Sequence, residues 1–150
     1  MKRTYIKELK NKKGEEVKIA GWVDVRRDHG KIIFIDLRDM SGKVQMVALP
    51  NHKEAHEAAG KVRSEWVLEI IGQVNQRPEK MINKDEELGE VELEITEIKV
   101  LNEAATPVFE ISNNGREVNE ETRLAHRYLD LRRNRLQKNL RMRHEVIRFF

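Results

Sequence analysis

Apolar residues recur at every second position in several short stretches of this chain, and a period of two demands a sheet with one buried face. Val17, Ile19, Gly21, Val23 and Val25 alternate with Lys18, Ala20, Trp22 and Asp24, which predicts a first strand. Arg26-Arg27-Asp28-His29-Gly30 is polar, ends in glycine and reads as a turn. Residues 31–39 are apolar and β-branched and predict a second strand. Asp39-Met40-Ser41-Gly42 then turns the chain into a third over residues 43–49. Pro50 and Asn51 stop the sheet and can start a helix, whose Ala55, Ala58, Ala59 and Val62 form a small-residue face. Residues 66–74 and 91–101 predict two more strands. In the last, Val91, Leu93 and Ile95 have one parity and Ile98 and Val100 the other, so a bulge is expected near Thr96. The polar stretch 75–90, with Pro78 and Gly89, is long for a hairpin loop.

Three strands, a short helix and two strands fit an all-β domain with helical additions: a five-stranded Greek-key barrel of the OB type over residues 1–102. An α+β sandwich or another small barrel shares the pattern. OB barrels bind oligonucleotides on the face of strands two and three and with the loops after strands one and four. Residues 103–119 hold Pro107 and Ser112-Asn113-Asn114-Gly115 without a sustained period, and read as a hinge. Residues 120–150 are helical, with Leu124, Tyr128 and Leu131 at i, i+4, i+7 and a second helix from Asn134 to Phe149-Phe150. A helix that stops uncapped on two aromatics suggests a piece of a longer polypeptide.

Composition narrows the function classes. Hydrophobic residues make up 39% and charged residues 37%, so a core is possible under a heavily charged surface. Without cysteine there is no disulfide scaffold, thiolate zinc site, iron–sulfur cluster or cysteine nucleophile. No apolar run approaches the ~20 residues of a membrane span, and residues 1–8 lack a secretory apolar region. A cytoplasmic protein with no membrane partner is the expectation. The net charge of +3 is unevenly laid out: +4 over residues 1–30, −6 over 79–103 and +6 over 121–150. Basic ends suggest a polyanion, most commonly nucleic acid; a solvated surface accounts for them equally well.

Strand two carries the sharpest signal. Ile33, Ile35 and Leu37 share the core parity, which leaves Phe34 on the polar face with Asp36 and Arg38. An aromatic ring among charges on a sheet surface is a platform for a base; packing under a loop is the alternative. Gln45 lies on the polar side of strand three, and its amide both donates and accepts, as reading a base edge requires. Arg26 and Arg27 stand within reach of the same face. The long loop offers Arg77, Lys80, Asn83 and Lys84 as donors. Glu92 points outward beside Glu94. By pattern alone it is a solvated acidic edge that protects the strand. His52 and His56 have helical metal-ligand spacing but no glutamate directly after the first and no evident third ligand, so no metal site is expected. Ser41, Ser64 and Ser112 lack a nucleophile context, and there is no Gly-rich phosphate loop. No catalytic residue and no cofactor site is expected in these 150 residues.

Gly21-Trp22-Val23, Arg26-Arg27-Asp28-His29-Gly30, Ile33-Phe34-Ile35-Asp36-Leu37-Arg38-Asp39, Val44-Gln45 after Ser41-Gly42, and Arg127-Tyr128-Leu129-Asp130-Leu131-Arg132-Arg133 together resemble the N-terminal anticodon-binding region of bacterial-type aspartyl-tRNA synthetases. The resemblance implies an OB-fold that binds the anticodon loop of tRNA(Asp). It implies that Phe34 stacks on the middle anticodon base and Gln45 hydrogen-bonds it, with Arg27, Arg77, Asn83 and Glu92 near the other two. It turns the reading of Glu92 toward a base contact. It also implies a parent enzyme that is a homodimer, uses ATP and Mg2+, and carries its chemistry beyond Phe150, in a catalytic domain that residues 120–150 begin. In this family a histidine at the position of His29 commonly accompanies charging of tRNA(Asn) as well as tRNA(Asp). Val25, Asn75, Met81 and Asn134 depart from the family's usual residues. A sister synthetase, asparaginyl or lysyl, and a free-standing RNA-binding module are the competing expectations.

Overall fold

Each of the five predicted strands forms. A computed structural model of the chain, describing residues 1–84 and 86–150, has β1 (Glu16–Asp28), β2 (Ile33–Arg38), β3 (Lys43–Ala48), β4 (Val67–Gln76) and β5 (Val91–Asn102). They close into a barrel in the order β1-β2-β3-β5-β4. Closure depends on the length of β1. Residues 16–22 pair antiparallel with β4 and residues 22–28 with β2, so Trp22 has a partner on each side. A register shift between Val23 and Val25 bends the strand where it changes partners. Gly21 lies two residues before that bend, where a Cβ would run into the backbone carbonyl of Arg38. Only glycine allows so close a backbone approach. The parallel pairs Met46↔Leu93 and Val47↔Glu94 complete the circle.

The barrel interior follows the predicted parity. Ile33, Ile35 and Leu37 of β2 and Val44, Met46 and Ala48 of β3 are buried in one cluster. Helix α1 (Lys53–Lys61) covers part of it with Ala55 and Ala59. The expected irregularity near Thr96 is present: Gly72 pairs with Ile95 and Ile71 with Glu97, leaving Thr96 unopposed. Its Oγ1 donates to Ile71 O at 3.0 Å, so the bulge is tied rather than loose.

Two expectations change. Arg26, Arg27 and Asp28 belong to β1, and the turn lies at residues 29–32, closed by His29 N donating to Ile32 O. Gly30, with φ +78°, supplies the left-handed residue that turn needs. Strand β1 outlasts its alternation because β2 offers pairing partners up to Asp28. Second, a 3-10 helix over Ile6–Asn11 buries Ile6 and Leu9 in the barrel core. Its two apolar residues are too few and too short-range to announce an element.

The chain divides into two compact units, Met1–Thr106 and Pro107–Phe150. The division falls inside the segment read as a hinge. In the second unit Phe109, Ile111 and Leu129 form a small cluster, with Val118 against it. The stripe expected from Leu124, Tyr128 and Leu131 is not the buried face: Leu124 and Tyr128 are exposed. The helix breaks at His126 (φ −112°, ψ 44°) between α2 (Glu120–Ala125) and α3 (Arg127–Asp130), which rotates Leu129 inward instead. Beyond it runs α4 (Asn134–Phe149).

Asp130, the last residue of α3, is fully buried and accepts from Arg123 Nε, Arg127 Nη1 and Arg133 Nε at 3.3, 2.8 and 2.8 Å. Arg133 is itself 1% exposed; it donates to Asn113 and stacks over Phe109, 5.0 Å from the ring centroid. Gly115 (φ +70°) leaves room for its guanidinium. Among the described residues no helix is long and apolar enough to cross a membrane.

Candidate nucleic-acid interface

Cross-strand register assembles the outer face of β1, β2 and β3. Phe34 lies opposite Arg27 on one side and Val47 on the other, and Asp36 lies opposite Gln45. Side chains paired across antiparallel strands share a face, so Arg27, Phe34, Asp36 and Gln45 form one patch. Phe34 is half-buried and stands outside the core cluster. Its ring stands T-shaped to that of His29, with centroids 5.7 Å apart and planes at 79°. Beside it, Arg27 Nη2 donates to Asp36 Oδ1 at 2.9 Å and to Gln45 Oε1 at 3.5 Å. Asp36 is only 6% exposed. Burial raises its pKa, and the Arg27 charge opposes that shift.

The loop between β4 and β5 borders this patch and is held at several points. Glu90 receives Lys10 and Lys13 of the N-terminal segment at 2.8 and 3.3 Å, and Glu86 pairs with Lys43 of β3 at 3.1 Å. Within it Asn83 N donates to Gly89 O at 3.2 Å. Arg77 is 5% exposed, with Nε 3.9 Å from Glu92 Oε2. Its Nε and Nη2 have no hydrogen-bond partner among the described residues. A buried guanidinium with idle donors is costly unless a further acceptor arrives. Glu92 is half-buried on β5; burial raises its pKa, Arg77 opposes this and Glu94 reinforces it. It is thus a partly desolvated carboxylate facing a cation and not a fully solvated edge. Glu94 is occupied differently. It accepts from Asn75 Nδ2 at 3.1 Å and lies 3.5 Å from His52 Nε2.

Arg26 does not join the group. Its neighbour in β2 is Ile35, on the core parity, and its Nη1 donates to Gly60 O at 2.7 Å near the end of α1. Adjacent strand residues point to opposite faces, so Arg26 and Arg27 cannot serve one surface once β1 continues through both. It donates to a carbonyl at a helix C-terminus, a common use of arginine. Asp36 is the neighbour in this patch that residue patterning passes over. The signal was available: it shares parity with Phe34, and the turn over residues 39–42 sets a register that puts it opposite Gln45.

A closed five-stranded barrel with a half-buried aromatic, an amide and a guanidinium on its β1–β2–β3 face, bordered by the β4–β5 loop, has the architecture of an OB-fold that binds oligonucleotides. The chain belongs to the family described as the OB-fold nucleic acid binding domain, whose tRNA anticodon model matches residues 17–101. It is 47% identical over 134 residues to "Aspartate--tRNA(Asp/Asn) ligase" of Desulfatibacillum aliphaticivorans, a match that covers 89% of this chain and 22% of that protein. The chain thus spans about a quarter of the length of the curated relatives it matches. Among solved structures it resembles the aspartyl tRNA synthetase of Entamoeba histolytica, with TM-score 0.76 and 25% identity over 88% of this chain and 32% of that one. It also resembles the asparaginyl-tRNA synthetase of Pyrococcus horikoshii, with TM-score 0.70 and 26% identity over 89% of this chain and 29% of that one. The family resemblance noted in the sequence is borne out.

Proposed function

We propose that this chain is the anticodon-reading part of an aspartate–tRNA ligase. Residues 1–102 are the reading barrel, 103–119 the hinge, and 120–150 the start of a catalytic domain. The observation that carries the reading is the half-exposed Phe34 ring in one cross-strand row with Arg27, and Gln45 one pair along. Phe34 stacks on the middle anticodon base and Gln45 hydrogen-bonds its edge. Arg27, His29, Asn83 and the Arg77–Glu92 pair serve the other two bases. Glu92 accepts from a base amino or imino group, while Arg77 neutralises it and offers its idle donors to the RNA. Aspartylation with ATP and Mg2+, and assembly as a homodimer, belong to the parent protein; the sequence here has no phosphate-cradling Gly-rich loop. Among the described residues no three His, Cys, Asp or Glu gather to hold a metal.

Direct base contacts specify and phosphate contacts position. Gln45→Ala should therefore reduce discrimination at the middle anticodon base more than it reduces overall affinity. Arg26→Ala, which removes a bond to Gly60, should leave base choice unchanged. Titrating anticodon stem-loops that vary at the middle position checks both. Equal losses across all variants for Gln45→Ala would remove the reading role.

His29 extends the reading to tRNA(Asn), whose anticodon differs from that of tRNA(Asp) only at the third base. Its imidazole, held against the Phe34 ring, can donate or accept, so either third base finds a partner. An apolar side chain leaves the wrong base's polar edge unpaired. Stem-loops of the two tRNAs should bind about equally, and His29→Leu should favour the aspartate one. A strong wild-type preference for tRNA(Asp) would end the dual reading and leave a strict aspartyl enzyme.

A further inference from the structure

We propose that Asp36 is a positioning residue: acting through Arg27, it fixes which end of the Gln45 amide faces a bound base. The inference rests on the anticodon reading above and concerns how the middle base is chosen.

A glutamine amide is nearly symmetric in shape but not in chemistry. Rotating it by half a turn exchanges an acceptor for two donors. A freely turning Gln45 would accept a carbonyl edge or an amino edge alike and would discriminate little. Here its Oε1 is engaged by Arg27 Nη2 at 3.5 Å. The turned amide would set its NH2 against the guanidinium, donor against donor. The held orientation directs Nε2 away from Arg27, toward a base, and there it selects a carbonyl acceptor, uracil O4 or guanine O6, over the amino group of cytosine or adenine.

Arg27 alone could not impose this. It is half-exposed, and a nearby phosphate would draw it away. Asp36 holds it: Oδ1 accepts from the same Nη2 at 2.9 Å. Asp36 sits directly opposite Gln45 in the β2–β3 register, which places carboxylate, guanidinium and amide on one face of the sheet. At 6% exposure Asp36 is too covered to touch a base itself. Lys43, Asp24 and Glu86 also act on its charge, but Arg27 is the cation that joins it to Gln45.

The test uses the 150-residue chain and four anticodon stem-loops carrying U, C, A or G at the middle position. Wild type should prefer U to C by roughly tenfold or more, the discrimination a well-placed pair provides. Asp36→Asn, close to isosteric, should bring U and C near parity while the affinity for the U stem-loop falls less. In a Gln45→Ala background Asp36→Asn should change nothing further, because the two act in series. An Asp36→Asn variant that keeps the U-over-C preference, or that weakens all four stem-loops alike, would overturn the proposal. In the free protein the side-chain amide of Gln45 should show a high NMR order parameter. A mobile wild-type amide overturns the proposal even if Asp36→Asn does not fold. Failure of the wild type to bind any of the four stem-loops would instead strike the anticodon reading, leaving the amide measurement to judge Asp36.

Discussion

Asp130→Ala should unfold the small second unit, at a cost of roughly 3–5 kcal/mol, the usual penalty for leaving a buried charge without its partner. The carboxylate is fully buried and receives three arginines, of which Arg133 is buried too. Without Asp130, the side-chain partners left to Arg133 among the described residues are Asn113 and the Phe109 ring, which are neutral. Amide hydrogen exchange is the measurement: protection of residues 129–137 should collapse while the amides of β1–β5 keep theirs. Burial by itself would raise the Asp130 pKa, but the hydrogen bonds and charges of Arg133 and Arg123 win and lower it. A depressed carboxylate pKa stabilises the folded form above the unfolded value near 3.9, and that contribution is lost as pH falls through the folded value. Acid should therefore loosen this unit below about pH 3.9. Unchanged exchange in Asp130→Ala would mean that the arginine cage is incidental to the fold.

Phe34→Ala should weaken binding of an aspartate-type anticodon stem-loop by ~1–3 kcal/mol, the range for one base stacked on an aromatic ring, with the melting temperature of the barrel nearly unchanged. The two halves of that expectation have separate grounds. Phe34 lies outside the core cluster, so truncation opens no interior cavity. Its ring is partly exposed on the outer face of β2, where a base can stack on it. Binding and thermal unfolding measured on the same sample decide the matter. A large drop in stability with intact binding would make Phe34 a packing residue.

Residue patterning carried the barrel far. Alternation located all five strands, the parity change in β5 located the bulge at Thr96, and the parity of Phe34 put it on the outer face before any contact was known. These succeeded because they depend on neighbours one or two residues away, where the period of the strand alone decides direction. Expectations failed where a distant partner decided. At the end of strand one, Arg26 and Arg27 read as within reach of the same face; continued pairing with β2 splits them between the two faces of β1. Tyr128 belonged to a helical stripe until the break at His126 turned Leu129 inward in its place.

The sequence by itself determined the strand count, the core face of each strand, the outward parity of Phe34 and the family. Each is written in local period and in short motifs. Tertiary structure alone decided what the charged residues do. It buried Arg77 beside Glu92, gave Arg26 to Gly60, joined Asp36 through Arg27 to Gln45, and gathered three arginines on Asp130. A charged side chain is long and its partner is chosen by desolvation and distance. Both are properties of the closed barrel and the folded second unit, and neither exists until residues far apart in the chain are brought together.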